Sequence, residues 1–359
     1  MERKSFQNTQ ANALAAAETP AARLYGLINS AWITQVIYVA AELDLPEKMR
    51  GGMRDVSALA TATACSHDAM RRLLRALCAV GICADQGNDA FSLTEMGTLL
   101  CEDAPESLRN WARLWGNRLW THWGALVDSV RTGAGWQQRG RSQERYERIA
   151  TDHDAAELFY GAMCAITRIA ASQVAPLLDF RTVRLVVDVG GGHGEFMAGV
   201  LQEWPSVCGV CLDLPAAEAG AKKLFQCAGL DRRIKFVAGD FFVDIPCADA
   251  LLLKSVLHNW DDARCSRILA NCRRALSVGA HMFVVERILP DIFSDCHFAR
   301  SVAQADLNML VGIGGRERTI TEYKRILAEA DFELEAVHSL RLGFELLQCA
   351  SVTKEANRA

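Results

Sequence analysis

Leu185-Val186-Val187-Asp188-Val189-Gly190-Gly191-Gly192-His193-Gly194 decides how this chain is read. An apolar run of strand character meets a glycine-dense turn, and the pattern occurs once in the 359 residues. Glycine has no Cβ, so such a turn bends tightly and lets the backbone approach a ligand to van der Waals contact. Glu195 to Glu203 reads as the helix that follows. The spacing then narrows the ligand. A dinucleotide fingerprint needs a glycine at 195 or 197, where the chain has Glu195 and Met197, and no Gly-Lys-Ser/Thr follows as a P-loop requires. Both departures argue against a pyrophosphate and for a ligand without phosphates.

Three further apolar segments end in polar residues. Val207 to Leu212 reads as a strand ending at Asp213, roughly the 20-residue offset at which a doubly wound fold sets a carboxylate against ribose hydroxyls. Ile234 to Val237 runs into Gly239-Asp240-Phe241-Phe242, an acid beside aromatics suited to an adenine edge. Ala250 to Leu253 ends at Lys254 and leads to His258-Asn259-Trp260-Asp261-Asp262, with Asp261 placed to cap a helix. Ligands of an open parallel sheet bind outside the carboxyl ends of its strands. Four polar strand ends in succession therefore predict an α/β, doubly wound Rossmann-like unit.

The order Asp-x-Gly-x-Gly-x-Gly, acid, Gly-Asp-Phe and Lys-x-x-x-His-x-Trp resembles the S-adenosylmethionine-dependent O-methyltransferases of the plant caffeate and flavonoid type, with their bacterial small-molecule relatives. Val284-Val285-Glu286-Arg287-Ile288-Leu289-Pro290 and Gly314-Gly315-Arg316-Glu317-Arg318-Thr319 are similar to the family's two segments with orienting glutamates. The resemblance implies a mostly parallel methyltransferase sheet binding S-adenosylmethionine, released as S-adenosylhomocysteine, without a metal. It implies that Gly190 and Gly192 line the methionine moiety and that Asp213 binds the ribose. Asp240 and Phe241 would flank the adenine, and Lys254 would contact the cofactor. His258 would be the general base, flanked by Glu286 and Glu317.

The chemistry asks for those residue types. Methyl transfer from a sulfonium is an in-line displacement on an already activated carbon, so the protein must supply alignment and a deprotonated nucleophile. A phenol with a pKa near 10 is mostly protonated at neutral pH, and an imidazole is available to take its proton. A carboxylate on the other ring nitrogen would set the tautomer and stabilise the imidazolium. Read alone, a single histidine is more often structural than catalytic, Glu286 is an ordinary strand-end acid, and Arg316-Glu317-Arg318 is a solvated charged turn. The family pattern is what lifts Glu317 above that reading.

The first half of the chain has a different pattern. Leu24 to Leu43 has apolar residues at helical spacing, broken by Asp44-Leu45-Pro46. Val56 to Ala62 and Asp68 to Val80 read as two helices about Ser66-His67, followed by a wing strand at Phe91-Ser92-Leu93-Thr94. This winged-helix pattern opens a second function class, a ligand-sensing DNA-binding regulator whose Arg71, Arg72 and Arg75 would meet phosphates. The basic residues are few and the net charge is −4, which favours a scaffold, and the resemblance implies a homodimer. Residues 1–110 are expected to form this mainly α-helical dimerisation domain, 111–178 a helical linker contributing to the substrate pocket, and 179–359 the cofactor-binding domain.

Trp111, Trp115, Trp120, Trp123 and Trp136 crowd one segment and suggest an apolar pocket wall, with aromatic core packing as the bland competitor. Asp152 to Leu178 reads as a long helix carrying Phe159 and Met163 one turn apart. By the resemblance these two, with Met309, grip a planar ring, and Asn308 hydrogen-bonds the acceptor. A phenolic aromatic is expected, such as a phenazine, polyketide or quinone. The loop Gly312-Ile313-Gly314-Gly315 is one residue shorter than the plant pattern, which points to a bacterial secondary-metabolite enzyme. Transfer to nitrogen, or a non-methylating decarboxylation or hydroxylation, stays open as the alternative.

Half of the residues are hydrophobic, enough for two cores. The charge argues against nucleic-acid and anionic-membrane partners. No run of about 18 uninterrupted apolar residues and no signal peptide is read, so a cytoplasmic location is the default. The 13 cysteines are expected to be reduced core residues, Cys78, Cys164, Cys272 and Cys349 among them, with Cys208 and Cys211 both committed to packing within a strand.

Overall fold

The computed structural model describes residues 19–135 and 153–352. The chain divides into two compact units, Met1–Arg118 and Leu119–Ala359. Their boundary falls inside the stretch 111–178 that was expected to act as a linker. Trp136 and Asp152 lie outside the described residues.

In the first unit, the expected helix over Leu24 to Leu43 is two helices, Pro20–Asn29 and Ala31–Glu42. They separate at Ser30, whose hydroxyl donates back to the Leu27 carbonyl at 2.7 Å and competes with the regular ladder. Leu24, Tyr25, Ile28 and Trp32 leave 59, 68, 66 and 64 % of their surface exposed. The helices Val56–Ala62 and His67–Ala79 follow, the first capped by the Asp55 carboxylate on the Ser57 and Ala58 amides. Met70, Leu74 and Leu77 repeat at helical spacing and are buried, which turns the second helix inward. Strands β1 (Cys83–Gly87) and β2 (Ala90–Leu93) pair antiparallel around Asn88 and Asp89, both at positive φ, a conformation Asn and Asp tolerate. Arg71 pairs with Asp89 at 2.7 Å, so one of the three arginines weighed as a phosphate contact ties its helix to the wing.

The second unit is built on a sheet of order β5-β4-β3-β6-β7-β10-β9. Its strands are β3 (Leu185–Val189), β4 (Cys208–Asp213), β5 (Ile234–Ala238), β6 (Ala248–Lys254), β7 (Leu276–Leu289), β8 (Arg318–Thr319), β9 (Phe332–Ser339) and β10 (Phe344–Ser351), with β8 paired to β7 off the main path. Strands β3 to β7 run parallel, and β10 and β9 add an antiparallel edge. From β3 the chain builds outward through β4 to β5, then returns to place β6 on the other side of β3. The crevice lies at that reversal of strand order. Val186, Val187, Leu251, Leu252 and Leu253 are fully buried, as central parallel strands covered on both faces require.

The helix expected after the glycine turn is Glu195–Glu203, and the long helix is His153–Val174 with a 3-10 turn at Ala175–Leu177. Two helical stretches, Pro20–Glu42 and Glu157–Leu177, are long and apolar enough to cross a membrane by length and composition; the second buries Ala162, Ile166, Ile169 and Ala170 in the core. All 13 cysteines are free; Cys272 and Cys349 are buried and Cys78 and Cys164 partly so. One expectation fails at Cys208, which is exposed while Cys211 is buried. Three residues apart on a strand, the two side chains point to opposite faces, so they cannot both pack inward.

Candidate active site

The glycine turn is held open by its own hydrogen bonds. The Gly190 amide donates to the Leu212 carbonyl at 2.8 Å, binding the turn to the end of β4. Gly190, Gly192 and Gly194 all have positive φ, which a side chain would strain. A Cβ on Gly194 would meet Phe225 at 2.4 Å, whereas beyond Gly192 there is open space. The Asp213 carboxylate accepts from the Gly192 amide and from the Leu214 amide, each at 2.7 Å, so the acid expected at the ribose also fixes the turn. Phe241 lies within 3.4 Å of a Cβ built on Gly190, and Val256 within 3.1 Å. Asp240 is exposed and accepts from the Phe242 amide at 2.8 Å. The ends of β3, β4, β5 and β6 thus converge on one crevice, bringing together Gly190, Gly192, Asp213, Asp240 and Phe241.

Asp188, the next-to-last residue of β3, was not singled out from the sequence. It is buried, and its Oδ2 has no hydrogen-bond partner among the described residues. Burial pushes its carboxyl up to about 7, the Asp213 charge adds to the rise, and Lys254 opposes it. An orphaned buried oxygen beside an open glycine cradle fits a crevice built for a polar ligand. Lys254 donates to Ser255 Oγ at 3.2 Å, and burial together with Arg287 draws its ammonium down to about 8.

The second cluster surrounds His258. Ser255 adopts φ 55, unusual for a residue with a side chain, and the chain then winds a 3-10 turn over Leu257–Asn259 before Asp261 caps the helix Asp262–Ala275 through the Arg264 amide. Glu286, fully buried on β7, supports this turn from below. Its Oε1 accepts from the amides of Val256, Leu257 and His258 at 3.0, 2.8 and 3.4 Å. Its Oε2 lies 3.5 Å from His258 Nδ1. Glu317 comes from the other side, with Oε1 3.0 Å from the same Nδ1.

Arg316-Glu317-Arg318 is therefore not a solvated charged turn. Glu317 and Arg318 are 1 % and 0 % exposed. The Arg318 guanidinium donates to the carbonyls of Leu257 at 3.1 Å and Trp260 at 2.7 Å, on both sides of His258, and pairs with Asp262 at 2.8 Å. The Arg316 amide donates to the His258 carbonyl at 2.9 Å. A Cβ at Gly315 would come within 2.3 Å of that carbonyl, so only glycine lets the two segments meet. Tyr323, another residue the sequence did not reveal, is fully buried with a hydroxyl that has no hydrogen-bond partner among the described residues, and burial and the charges of Glu286 and Glu317 raise its pKa well above the usual value.

These neighbours set the basicity of His258. Burial opposes the imidazolium, but the carboxylates of Glu286 and Glu317 and the hydrogen bond that Glu317 accepts outweigh it, so the pKa is raised above 6.5. Burial raises the Glu286 carboxyl in turn, against the pull of His258. One nitrogen and two carboxylate oxygens here lie within 4.8 Å of one another, a set that also suits a cation. An ionised carboxylate only accepts, so a neutral His258 hydrogen-bonded to one through Nδ1 would carry its proton there and present a lone pair at Nε2.

The residues expected to hold the acceptor divide. Met309 is buried, and its Cε is 3.2 Å from a Cβ built on Gly315, which places it beside the His258 turn. Asn308, on the same helix His297–Gly312, accepts through Oδ1 from Trp123 Nε1 at 3.4 Å. Phe159 and Met163 are partly buried on the long helix, Phe159 edge-on to Tyr160, which in turn stacks on His193 of the glycine turn at 4.2 Å. Trp120 is 42 % exposed.

Residues 123–333 match the O-methyltransferase domain, and residues 25–103 match the O-methyltransferase dimerisation domain. The chain is 30 % identical to the phenazine O-methyltransferase PhzM of Lysobacter antibioticus over 92 % of its length and 96 % of the relative's. It is 34 % identical to the 3-amino-4-hydroxybenzoate 4-O-methyltransferase of Streptomyces cremeus, covering 93 % and 91 %. The matches also include an N,N-dimethyltransferase and a hydroxylase. Human N-acetylserotonin methyltransferase, solved with S-adenosylmethionine, superposes with a TM-score of 0.85 at 25 % identity over 94 % of this chain and all of that one. With both domains matched in order and each strand end in its expected place, the chain belongs to the S-adenosylmethionine-dependent O-methyltransferase family.

Proposed function

We propose that this chain methylates the hydroxyl of a small planar aromatic acceptor, with His258 as the general base. The 3.0 Å contact between buried His258 Nδ1 and Glu317 Oε1 carries the reading. It fixes the tautomer that leaves Nε2 free to take a proton, and it stabilises the imidazolium once formed. S-adenosylmethionine, when bound, supplies an activated methyl group. Gly190 and Gly192 would line its methionine moiety, Asp213 its ribose and Asp240 with Phe241 its adenine, and Lys254 would contact it. The rest of the task is alignment and deprotonation. A histidine raised above 6.5 lies closer to a phenol than free imidazole does, and every unit gained is about 1.4 kcal/mol of proton affinity.

Phe159, Met163 and Met309 suit stacking and sulfur–aromatic contact with a phenazine, polyketide or quinone ring. Trp123 donates to Asn308 Oδ1, which leaves the amide NH₂ as the group that would donate to the acceptor. The dyad favours oxygen over nitrogen as the receiving atom, because an amine needs less help in losing a proton. The His258 chemistry needs no metal in this reading, and activity is expected to survive exhaustive dialysis against EDTA. We assign the exposed stripe Leu24, Tyr25, Ile28 and Trp32, within the matched dimerisation domain, to the contact with a second copy of the chain.

Incubation with methyl-labelled S-adenosylmethionine and a panel of hydroxylated aromatics, read by mass spectrometry, tests the proposal. His258→Ala is expected to keep its affinity for S-adenosylhomocysteine and to lose about 10²–10⁴-fold in turnover on phenols. A variant that transfers label at the native rate would remove the base from the mechanism.

A further inference from the structure

Three buried oxygens beside the His258 turn make no hydrogen bond among the described residues: Glu286 Oε2, Glu317 Oε2 and the Tyr323 hydroxyl. The residues that carry them are 0, 1 and 0 % exposed. Polar atoms shut off from both water and a partner are rare in folded proteins and costly where they occur.

The fold brings the three side chains into one layer. Met282, Val284, Glu286 and Ile288 alternate onto one face of β7, and Met282, Val284 and Ile288 share a core cluster with Val256, Leu257 and Tyr323. β8 pairs Arg318 with Ile288, which sets Glu317 beside the same stretch of β7. The helix Ile320–Glu329 begins directly after it, started by a capping box between Thr319 and Glu322, and its first turn puts Tyr323 into the cluster. The carboxylates of Glu286 and Glu317 act on the Tyr323 hydroxyl, with Arg318 opposing them and the Cys265 thiol adding to them. The same two carboxylates act on His258, with Arg287 opposing them.

Ionised carboxylate oxygens only accept, and a phenol has one proton to give. The three atoms make no hydrogen bond to one another, so that proton reaches neither carboxylate directly. A single water molecule satisfies them all: it donates once to each carboxylate oxygen and accepts from the tyrosine, and about three hydrogen bonds are usual for a buried water. We infer that Glu286 Oε2, Glu317 Oε2 and the Tyr323 hydroxyl form a binding site for one water, and that Tyr323 acts through it as a positioning residue, keeping both carboxylates beside His258 charged. This rests on the reading of His258 as the base. Hydrogen bonds to an ionised carboxylate favour the ionised form. Burial already draws Glu286 towards protonation. Without the tyrosine proton the water loses the donor that anchors it, and Glu286 takes up a proton. With one negative charge gone, His258 holds its own proton less tightly.

Tyr323→Phe removes one oxygen and keeps the ring among apolar neighbours, with titration of S-adenosylhomocysteine as the check on folding. The readout is the pKa of His258 itself, followed by NMR on protein labelled in the histidine rings, the signal being picked out from the eight histidines by its loss in His258→Ala. In Tyr323→Phe that pKa should fall by about one pH unit. 3-Fluorotyrosine at position 323, a stronger donor of nearly the same shape, should raise it, and carries the test alone if the phenylalanine variant does not fold. A crystal structure of the wild type should show one water within hydrogen-bond distance of all three oxygens. A His258 pKa that stays or rises in Tyr323→Phe, or that fails to rise with the fluorinated ring, overturns the role of Tyr323. A metal ion at the three oxygens, seen by anomalous scattering and removed by EDTA, overturns the water. Loss of the general-base reading would appear instead as native methyl transfer by His258→Ala, and would leave the titration readable.

Discussion

Glu317→Gln isolates the electrostatic half of the proposed dyad. Glutamine keeps an oxygen that accepts from His258 Nδ1, so the tautomer survives while the charge 3.0 Å away is lost. A hydrogen bond to a charged group contributes about 1.5–3 kcal/mol, equivalent to roughly one to two pKa units at 1.36 kcal/mol each. Glu286 Oε2 at 3.5 Å retains one negative charge, which places the expected shift at the lower end, near one unit. The sign follows from the chemistry. His258 must be neutral to accept a proton, and its pKa is raised above 6.5, so the native acid limb of kcat/KM should lie above 6.5. In the variant that limb should move to lower pH. Above both limbs the imidazolium forming in the transition state is less stabilised, and kcat should fall about tenfold, the equivalent of 1.36 kcal/mol. The assay is S-adenosylhomocysteine release against pH with one phenolic acceptor, with titration of S-adenosylhomocysteine as the control for folding and cofactor affinity. An acid limb that stays in place while the rate falls would refute the coupling and leave Glu317 a packing residue.

Other substitutions separate support of the turns from chemistry. Asp213→Ala removes the acceptor for the Gly192 amide as well as the expected ribose contact, and should weaken S-adenosylhomocysteine binding by about tenfold or more; unaltered titration curves would exclude both roles. Glu286→Ala strands the Val256 and Leu257 amides and should cost about 2–5 kcal/mol in urea unfolding, whereas Glu286→Gln, which keeps an oxygen, should recover most of it. Asp188 has a folded-state pKa raised from 3.8 to about 7. A raised carboxyl binds more protons folded than unfolded across that window, so wild-type stability should fall as pH climbs from about 4 to 7 and flatten above. Asp188→Asn should lose that slope, gaining on the order of 4 kcal/mol relative to wild type at pH 8 in the ligand-free protein; parallel stability curves for the two proteins would contradict the assigned pKa.

The helix after the glycine turn was legible to the residue, and the strand ends nearly so, because apolar runs and glycine clusters act locally on the backbone. His258 was legible from its place four residues beyond Lys254. Ser30 was not recognised as a helix break, since one hydroxyl turning back to Leu27 leaves no mark on hydrophobic periodicity. Cys208 was misjudged because strand alternation was not applied to a spacing of three.

The sequence by itself determined the class of ligand crevice, through a turn only glycine can make and through polar residues where apolar runs stop. Tertiary structure decided which charges are buried. Arg316-Glu317-Arg318 has the composition of a solvated loop, yet Gly315 lets it press on the His258 turn from 59 residues away. Glu317 then meets the imidazole and Arg318 clamps the carbonyls around it. The same holds for Arg287, unremarkable in a strand until Lys254 and Phe344 are set beside it by the order β6-β7-β10. A side chain's charge is written in the sequence, but the loss of water that gives that charge its chemical strength comes from neighbours far along the chain, and those are chosen only when the sheet closes.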